Sequence, residues 1–385
     1  MANKSVAFKK NRLFTTVKSE WVLLVFLFAL LLFPFVMNWI TGTGLNQGVT
    51  KFWQGQLIIF FIMAVFAMSY DLLMGFGGIL SFGHAASFGG GAYAFGLLMK
   101  HVVPPITSSY RVMIGNVDIT DALVLLVVFL VVILVSILIG LLFAASSIRL
   151  KGAYFAMLTL ALGSAMHILV KATDFHKWTG ADEGLHGVPV PVWMNPTQNR
   201  LTVYFISLAF LVLCYLLMRR MVNSPTGRVI IANRENEDRM RMIGYNPVTY
   251  RTIAFVSSSI FAGLAGALYS IWNTSATPTM VSTVMTINAL IMTILGGMGT
   301  LVGPILGAAI MQTISQFFYT WFGARWPLVF GILFILIVMF LPYGIIETWR
   351  LKKNDLKQGW VRLRNMIFSP KRLPEQEDVV QDVHT

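Results

Sequence analysis

The chain has 385 residues, of which 56% are hydrophobic and only 12% charged, with a mean hydropathy of +0.72. A soluble globular domain carries about twice that share of charge, so composition excludes one and implies a chain that crosses a membrane several times. The net charge of +13 does not point to nucleic acid, because basic residues gathered beside apolar stretches are what holds cytoplasmic loops inside.

Residues 1–20 are basic and polar. The apolar stretch that follows is a full bilayer wide, longer than the ~7–15 residues of a cleaved signal, and reads as a retained first span. Counting about 20 apolar residues per crossing places spans at 21–41, 52–74, 80–99, 122–146, 154–170, 201–218, 252–272, 286–295, 302–321 and 328–346. The eighth is short and ends at Gly296-Gly297-Met298-Gly299; it reads as a broken or re-entrant helix, tolerated only where protein or a water-filled cavity covers the freed backbone. On this ten-span scheme the inside segments hold 22 of the 29 lysines and arginines, which implies an even number of spans with both termini cytoplasmic. Two outside segments, 100–121 and 171–200, have room for structure of their own, and Trp178-Thr179-Gly180-Ala181-Asp182-Glu183-Gly184 is a turn-forming stretch. The expected fold is therefore all-α and polytopic: a cytoplasmic segment 1–20, a transmembrane domain 21–346 and a cytoplasmic tail 347–385, whose basic start suits anionic lipid headgroups. The single cysteine, Cys214, lies in the sixth span and reads as a small buried hydrophobe, so no intrachain disulfide and no cysteine-rich metal site is expected.

No G-x-x-x-x-G-K-[ST], H-E-x-x-H or G-x-S-x-G sequence occurs and the six histidines are scattered, so the chain is not expected to be an enzyme, to hydrolyse nucleotide by the P-loop route or to hold a metal. The run 77–93 is rich in small residues, Ser81 and Gly89 among them. Such a run suits a tight helix seam or the lining of a narrow path. A second run, 296–307, includes Gly296 and Gly297 and the G-x-x-x-G pair Gly303 and Gly307. Two glycine-interrupted segments in comparable places of two halves point to a pathway at the membrane midplane. Asp71 and His84 fall at the inner ends of spans two and three. Ionisable residues at that depth are functional candidates, yet both could also reach the interface or pair with each other to secure the turn 74–78. Asn288 could bond a neighbouring helix or face the path.

Between the sixth and seventh spans lies a charged segment, 233–247, with Arg219, Arg220, Arg228 and Arg251 around it. Arg234, Glu235, Asn236, Glu237, Asp238 and Arg239 alternate in sign, and Gly244 and Pro247 are helix stops. A charged cytoplasmic helix, 232–244, without nucleophile or metal set reads as a docking surface for another protein.

Four stretches, 71–93, 149–162 (RLKGAYFAMLTLAL), 224–266 (SPTGR…RENEDRMRMIGYN…AFVSSSIFAGLAG) and 290–307, resemble the second permease type of high-affinity branched-chain amino acid ATP-binding-cassette importers. The resemblance covers about residues 55–345. Permeases for urea and short amides share most of the pattern, and His84-Ala85-Ala86 is more similar to the amino acid branch. The resemblance implies a bacterial or archaeal inner-membrane subunit that pairs with a second permease, two ATP-binding subunits and a periplasmic or extracellular binding protein. ATP is then bound by the partners and this chain needs no cofactor. It also implies that the charged loop docks in a groove of the ATPase as a coupling helix. The outside residues Arg111, Lys177 and Arg200 are candidates for meeting an acidic rim on the binding protein. Two further readings are a urea or short-amide permease of the same architecture and an ion-coupled secondary transporter using Asp71 and His84. A structural scaffold is a third.

Overall fold

The computed structural model describes residues 26–42, 44, 47–104, 113–114, 117–118, 120–146, 150, 152–325, 328–329, 331–332 and 335. The expected N-terminal segment, C-terminal tail and most of the tenth span lie outside the described residues, as does Arg111. Helices run Phe26–Thr41 (α1), Gly48–Asp71 (α2), Ala85–Leu97 (α3), Thr120–Ser146 (α4), Gly152–Lys171 (α5), Arg200–Asn223 (α6), Pro225–Glu235 (α7), Glu237–Met242 (α8), Pro247–Asn273 (α9), Thr283–Gly296 (α10) and Val302–Phe322 (α11). Among the described residues five helices are long and apolar enough to cross a membrane: α2 with its π-helical extension to Phe76, α4, α5, α6 and α9. Two antiparallel ribbons break the all-helical expectation: Met113–Ile114 (β1) with Val117–Asp118 (β2), and Leu185–His186 (β3) with Ser275–Ala276 (β4).

The core forms where α9 packs against α3, α4 and α2, while α6, α10 and α11 close around α2. The inner faces combine large side chains such as Phe61, Phe66 and Tyr204 with glycines at the points of closest approach. A Cβ added to Gly91 would overlap the backbone of Gly263, one on Gly266 would overlap the Phe88 carbonyl, and one on Gly307 the Met292 carbonyl. Backbones therefore touch at α3–α9 and α10–α11, and dispersion between close main chains replaces the water expulsion that lipid cannot supply. Ser87 Oγ donates to Ser259 Oγ across the first seam (3.0 Å).

The third expected span, 80–99, is corrected in one respect: helix begins only at Ala85. After α2 the chain leaves helical geometry at Gly78, φ +68°, and residues 79–82 carry no helix. Their backbone is not left bare. Ile79 N–H donates to Leu73 O (3.1 Å), Phe82 N–H to Thr159 Oγ1 (3.1 Å) and Ala85 N–H to Thr286 Oγ1 (2.9 Å), which is the condition for irregular backbone inside a membrane protein. A second break follows α9. There Thr274 stands at φ +50°, β4 pairs with β3, and Pro278–Val281 makes a 3-10 turn before α10 starts. Each long helix, α2 and α9, is thus followed by a broken stretch and a short helix, and the starts of the two short helices meet at Ala85 and Thr286. At about 1.5 Å per residue, the 14 residues of α10 cover about 21 Å, short of the ~30 Å hydrocarbon core.

The glycine run 296–299 does not occupy the place in the second half that 77–84 holds in the first. It is the turn that joins α10 to α11, with Gly297 at φ +112° and Gly299 at +75°. The break at 274–282 is one that hydropathy and glycine count alone do not mark.

Candidate translocation and coupling sites

Three regions hold the candidate residues. The first is a junction at the inner end of α2. Asp71 is fully buried; its Oδ1 accepts from Gly299 N–H (2.7 Å) and its Oδ2 from Leu301 N–H (3.3 Å). The carboxylate therefore caps the tight α10–α11 turn, in which Leu301 is held at φ +52°. From the charged loop Arg234 Nη1 donates to Gly75 O, and its stem lies where a Cβ on Gly78 would sit. Gly296 and Gly297 complete the turn, since a Cβ on Gly296 would overlap the Gly303 carbonyl and Gly297 O accepts from Thr300 Oγ1 (3.0 Å).

His84 lies apart from this junction. Its ring stacks on Phe66 (5.5 Å, 12°) and meets Tyr70 edge-on (5.3 Å). Ser69 Oγ gives its proton to Phe66 O (2.7 Å) and so accepts from His84 Nε2–H (2.9 Å). Asp71 and His84 neither pair with each other nor reach the interface. Each is buried with partners of its own. Ser81 is buried beside them, its carbonyl accepting from Tyr70 OH (3.1 Å). Gly89 is a packing residue, because a Cβ there would overlap the Val281 side chain.

The second region is a cavity of about 630 Å³. It opens between α5, the 180–184 turn, the 277–282 break and the first turns of α10, and of the candidate path residues Asn288 alone lines it. Lys171 and Asp182 form an ion pair at its mouth (2.9 Å), and Glu183 stands beside them. His167 Nδ1–H donates to Pro278 O (3.0 Å), fixing the wall. Sequence reading missed these residues because only the turn glycines stand out in that segment.

The third region is the charged loop, where one expected helix is two. Ser224 accepts from Gly227 N–H (3.2 Å) with Pro225 at the first position of α7. Asn236 then turns to φ −159° and accepts from Arg239 N–H (2.9 Å), so it ends α7 and caps α8. Asn-Glu-Asp at a helix start is the expected cap chemistry, and that signal was available. Pro247 opens α9 behind the Asn246 cap instead of stopping the preceding helix. Gly244 does serve as the stop. Standing at φ +89°, it donates to Arg241 O (3.0 Å) while Tyr245 donates to Met240 O (3.2 Å), a Schellman closure that requires a left-handed residue at this point.

The charges of this loop divide into two sets. Arg234 is tied to Gly75, and Glu237 pairs with both Arg241 (2.6 Å) and Arg251, the last being the first turn of α9 reached across the loop. Met240 is buried beneath them. Glu235, Asp238 and Arg239 stay exposed. The face turned outward is capped by Met242, 86% exposed, and Ile243, 66% exposed, with Tyr245 next to them. An exposed apolar knob on a polar loop is the kind of patch that marks an interaction surface, and a reading of this segment by its charges does not show it.

On the outer side, Lys177 is exposed. Arg200 is turned inward: Nη1 donates to Lys51 O (3.0 Å) and the guanidinium lies over Trp272 (5.1 Å). It fastens α6 to α2 and α9, a structural role that the expectation of a docking rim did not include. No group of three or more metal-ligating side chains occurs among the described residues.

These features define a multi-pass helical membrane protein with broken helices and a braced, charged loop. Residues 54–341 match the family described as the branched-chain amino acid transport system / permease component, and the chain belongs to that family. It is similar to the high-affinity branched-chain amino acid transport system permease protein LivM of Salmonella typhimurium, 27% identical over 236 residues, covering 55% of this chain and 55% of that protein. That match spans about half of the relative's length. The protein of the same name from Escherichia coli is 24% identical over 328 residues, 77% of this chain and 70% of that one. A ribose import permease protein, RbsC, of Haemophilus influenzae is 28% identical over 135 residues, 34% of this chain and 37% of that protein. No solved structure matches the chain.

Proposed function

We propose that this chain is one of two permease subunits of an ATP-driven importer for branched-chain amino acids in a bacterial or archaeal inner membrane. In this reading it has about ten spans in an inverted-repeat-like arrangement with both termini cytoplasmic. A second permease completes the path, two separate subunits bind and hydrolyse ATP, and a periplasmic or extracellular binding protein delivers the substrate. The observation that carries it, beside family membership, is the loop 225–246: outward it presents Met242, Ile243 and Tyr245, and inward it is fixed to α2 by Arg234 and to α9 by Glu237. A partner that moves the knob moves two spans of the bundle as attached bodies. The ion-coupled alternative is disfavoured by the surroundings of Asp71 and His84, which are committed to a turn cap and a serine and do not line the described cavity.

The test uses the complete transporter in inverted and right-side-out vesicles. Leucine uptake should need ATP and the neighbouring subunits, and Met242→Asp or Ile243→Asp should release the ATPase subunit from the purified complex without unfolding the permease. Leucine uptake by this chain alone, or uptake of urea or ribose in place of leucine, would overturn the proposal.

A further inference from the structure

We infer that the outward cavity at Lys171, Asp182 and Glu183 is a receiving site for a free zwitterionic amino acid with an apolar side chain. This deepens the proposed function and rests on it. The volume, about 630 Å³, is within the range of small-ligand sites. The mouth carries one ammonium and two carboxylates, which match the carboxylate and the ammonium of an α-amino acid with the signs reversed. Lys171 and Asp182 bridge each other at 2.9 Å with side chains 43% and 75% exposed, so the pair is worth little by itself and opens readily to a ligand that offers both charges. The ligand's carboxylate takes Lys171 and its ammonium takes Asp182 and Glu183. Met280, Met285 and Val284 give the side chain apolar lining, and the Asn288 amide, Tyr269 and the hydroxyl residues Thr277, Thr279 and Ser282 line the same cavity. A neutral sugar or urea can hydrogen-bond to these groups but brings no charge of its own to replace the ion pair it would displace.

Local geometry holds these groups in place. Gly180 and Gly184 take φ +73° and +82°, and a Cβ on Gly184 would come within 2.6 Å of Ala276 O and 2.8 Å of Thr277 Cα. The turn therefore lies directly on the 274–282 break, and the β3–β4 pairing (Leu185 with Ala276, His186 with Ser275) locks the two together. Asp182 and Glu183 sit at the tip of a turn whose base is the cavity wall. The exposure of the charged groups makes the site weak, as a station must be if it releases what it receives.

The experiment places a cysteine at Val284, which is 64% exposed, in a Cys214→Ser background, within the assembled transporter in energy-depleted cells. An impermeant maleimide is added outside, with leucine, urea or ribose as protectant, and ATP-driven leucine uptake is measured in parallel. The expected result is labelling from outside that slows about threefold when leucine reaches twice its dissociation constant, with no effect of urea or ribose. Lys171→Gln and Glu183→Gln should each remove the protection while the folded yield, read by size exclusion, stays unchanged. Outside labelling that leucine does not slow, with leucine uptake intact, overturns the site and leaves the proposed function standing; so does failure of the reagent to reach Val284→Cys from outside. Protection by urea or ribose, with no leucine uptake, overturns both.

Discussion

Replacing Asp71 tests whether a buried carboxylate in this bundle is a structural cap or a proton carrier. Asp71 accepts from Gly299 N–H at 2.7 Å and from Leu301 N–H at 3.3 Å with no exposed surface, and the charge of Arg234 acts on it from the loop side. A hydrogen bond to an ionised acceptor contributes about 1.5–3 kcal/mol, and a buried N–H left without a partner costs about 1–3 kcal/mol. Asp71→Asn keeps one acceptor but turns an amide donor toward the other N–H, which predicts a loss of about 2–3 kcal/mol. Asp71→Ala leaves both N–H groups bare and removes what holds Leu301 at a positive φ, which predicts about 3–5 kcal/mol. Relief of carboxylate desolvation offsets part of each figure and leaves the order unchanged. Unfolding by SDS in mixed micelles reads the difference, and the order wild type, Asn, Ala is the diagnostic. Leucine uptake divided by folded protein should stay within about twofold of wild type in Asp71→Asn, since a cap acts through stability. Equal stability of all three proteins, or uptake per folded molecule that collapses in Asp71→Asn, would refute the reasoning.

Gly266→Ala and Gly91→Ala force apart main chains that now touch and should each cost about 1–3 kcal/mol in the same assay, whereas Gly244→Ala, whose Cβ meets nothing within 4 Å, should cost only about 1–2 kcal/mol from its φ of +89°. Glu237→Gln breaks an ion pair whose side chains are only 13% and 14% exposed and should lower stability by about 3 kcal/mol; a loss no larger than that of Asp238→Asn would show that the brace carries nothing. Thr274→Asn should stabilise by about 0.5–1 kcal/mol, because Thr274 is a β-branched residue at φ +50° and asparagine tolerates that region. Native protein should resist maleimide at Cys214, buried in α6, and react once unfolded.

Much of this molecule could be read without coordinates, and the misses have physical causes. Long apolar stretches announce α2, α4, α5, α6 and α9 because bilayer width leaves few other solutions. Gly180, Gly184 and Gly244 announce turns because their backbones need positive φ. The start of α3 was invisible to hydropathy, since Ile79 and Leu80 are as apolar as a helix would be and the break depends on acceptors at Thr159 and Thr286. The split of the coupling segment was written in Asn236-Glu237-Asp238, but a continuous run of charges masked the cap. The inward set of Arg234 could not be read at all, as its partner Gly75 lies 159 residues away and no local pattern encodes it. The exposure of Met242 and Ile243 has no mark in a charged segment read by its charges, since it depends on the Schellman closure at Gly244.

The division of labour in the loop has a consequence for specificity. Its braces (Arg234 to α2, Glu237 to α9, Met240 beneath) are interleaved in sequence with Glu235, Asp238, Arg239, Met242, Ile243 and Tyr245, which are exposed. In the proposed ATPase contact, the exposed side chains that would meet the partner are different residues from those that hold the loop to the bundle. On that proposal, exchanging a few surface side chains would re-pair the permease with a foreign ATPase while the frame of the loop is left as it is.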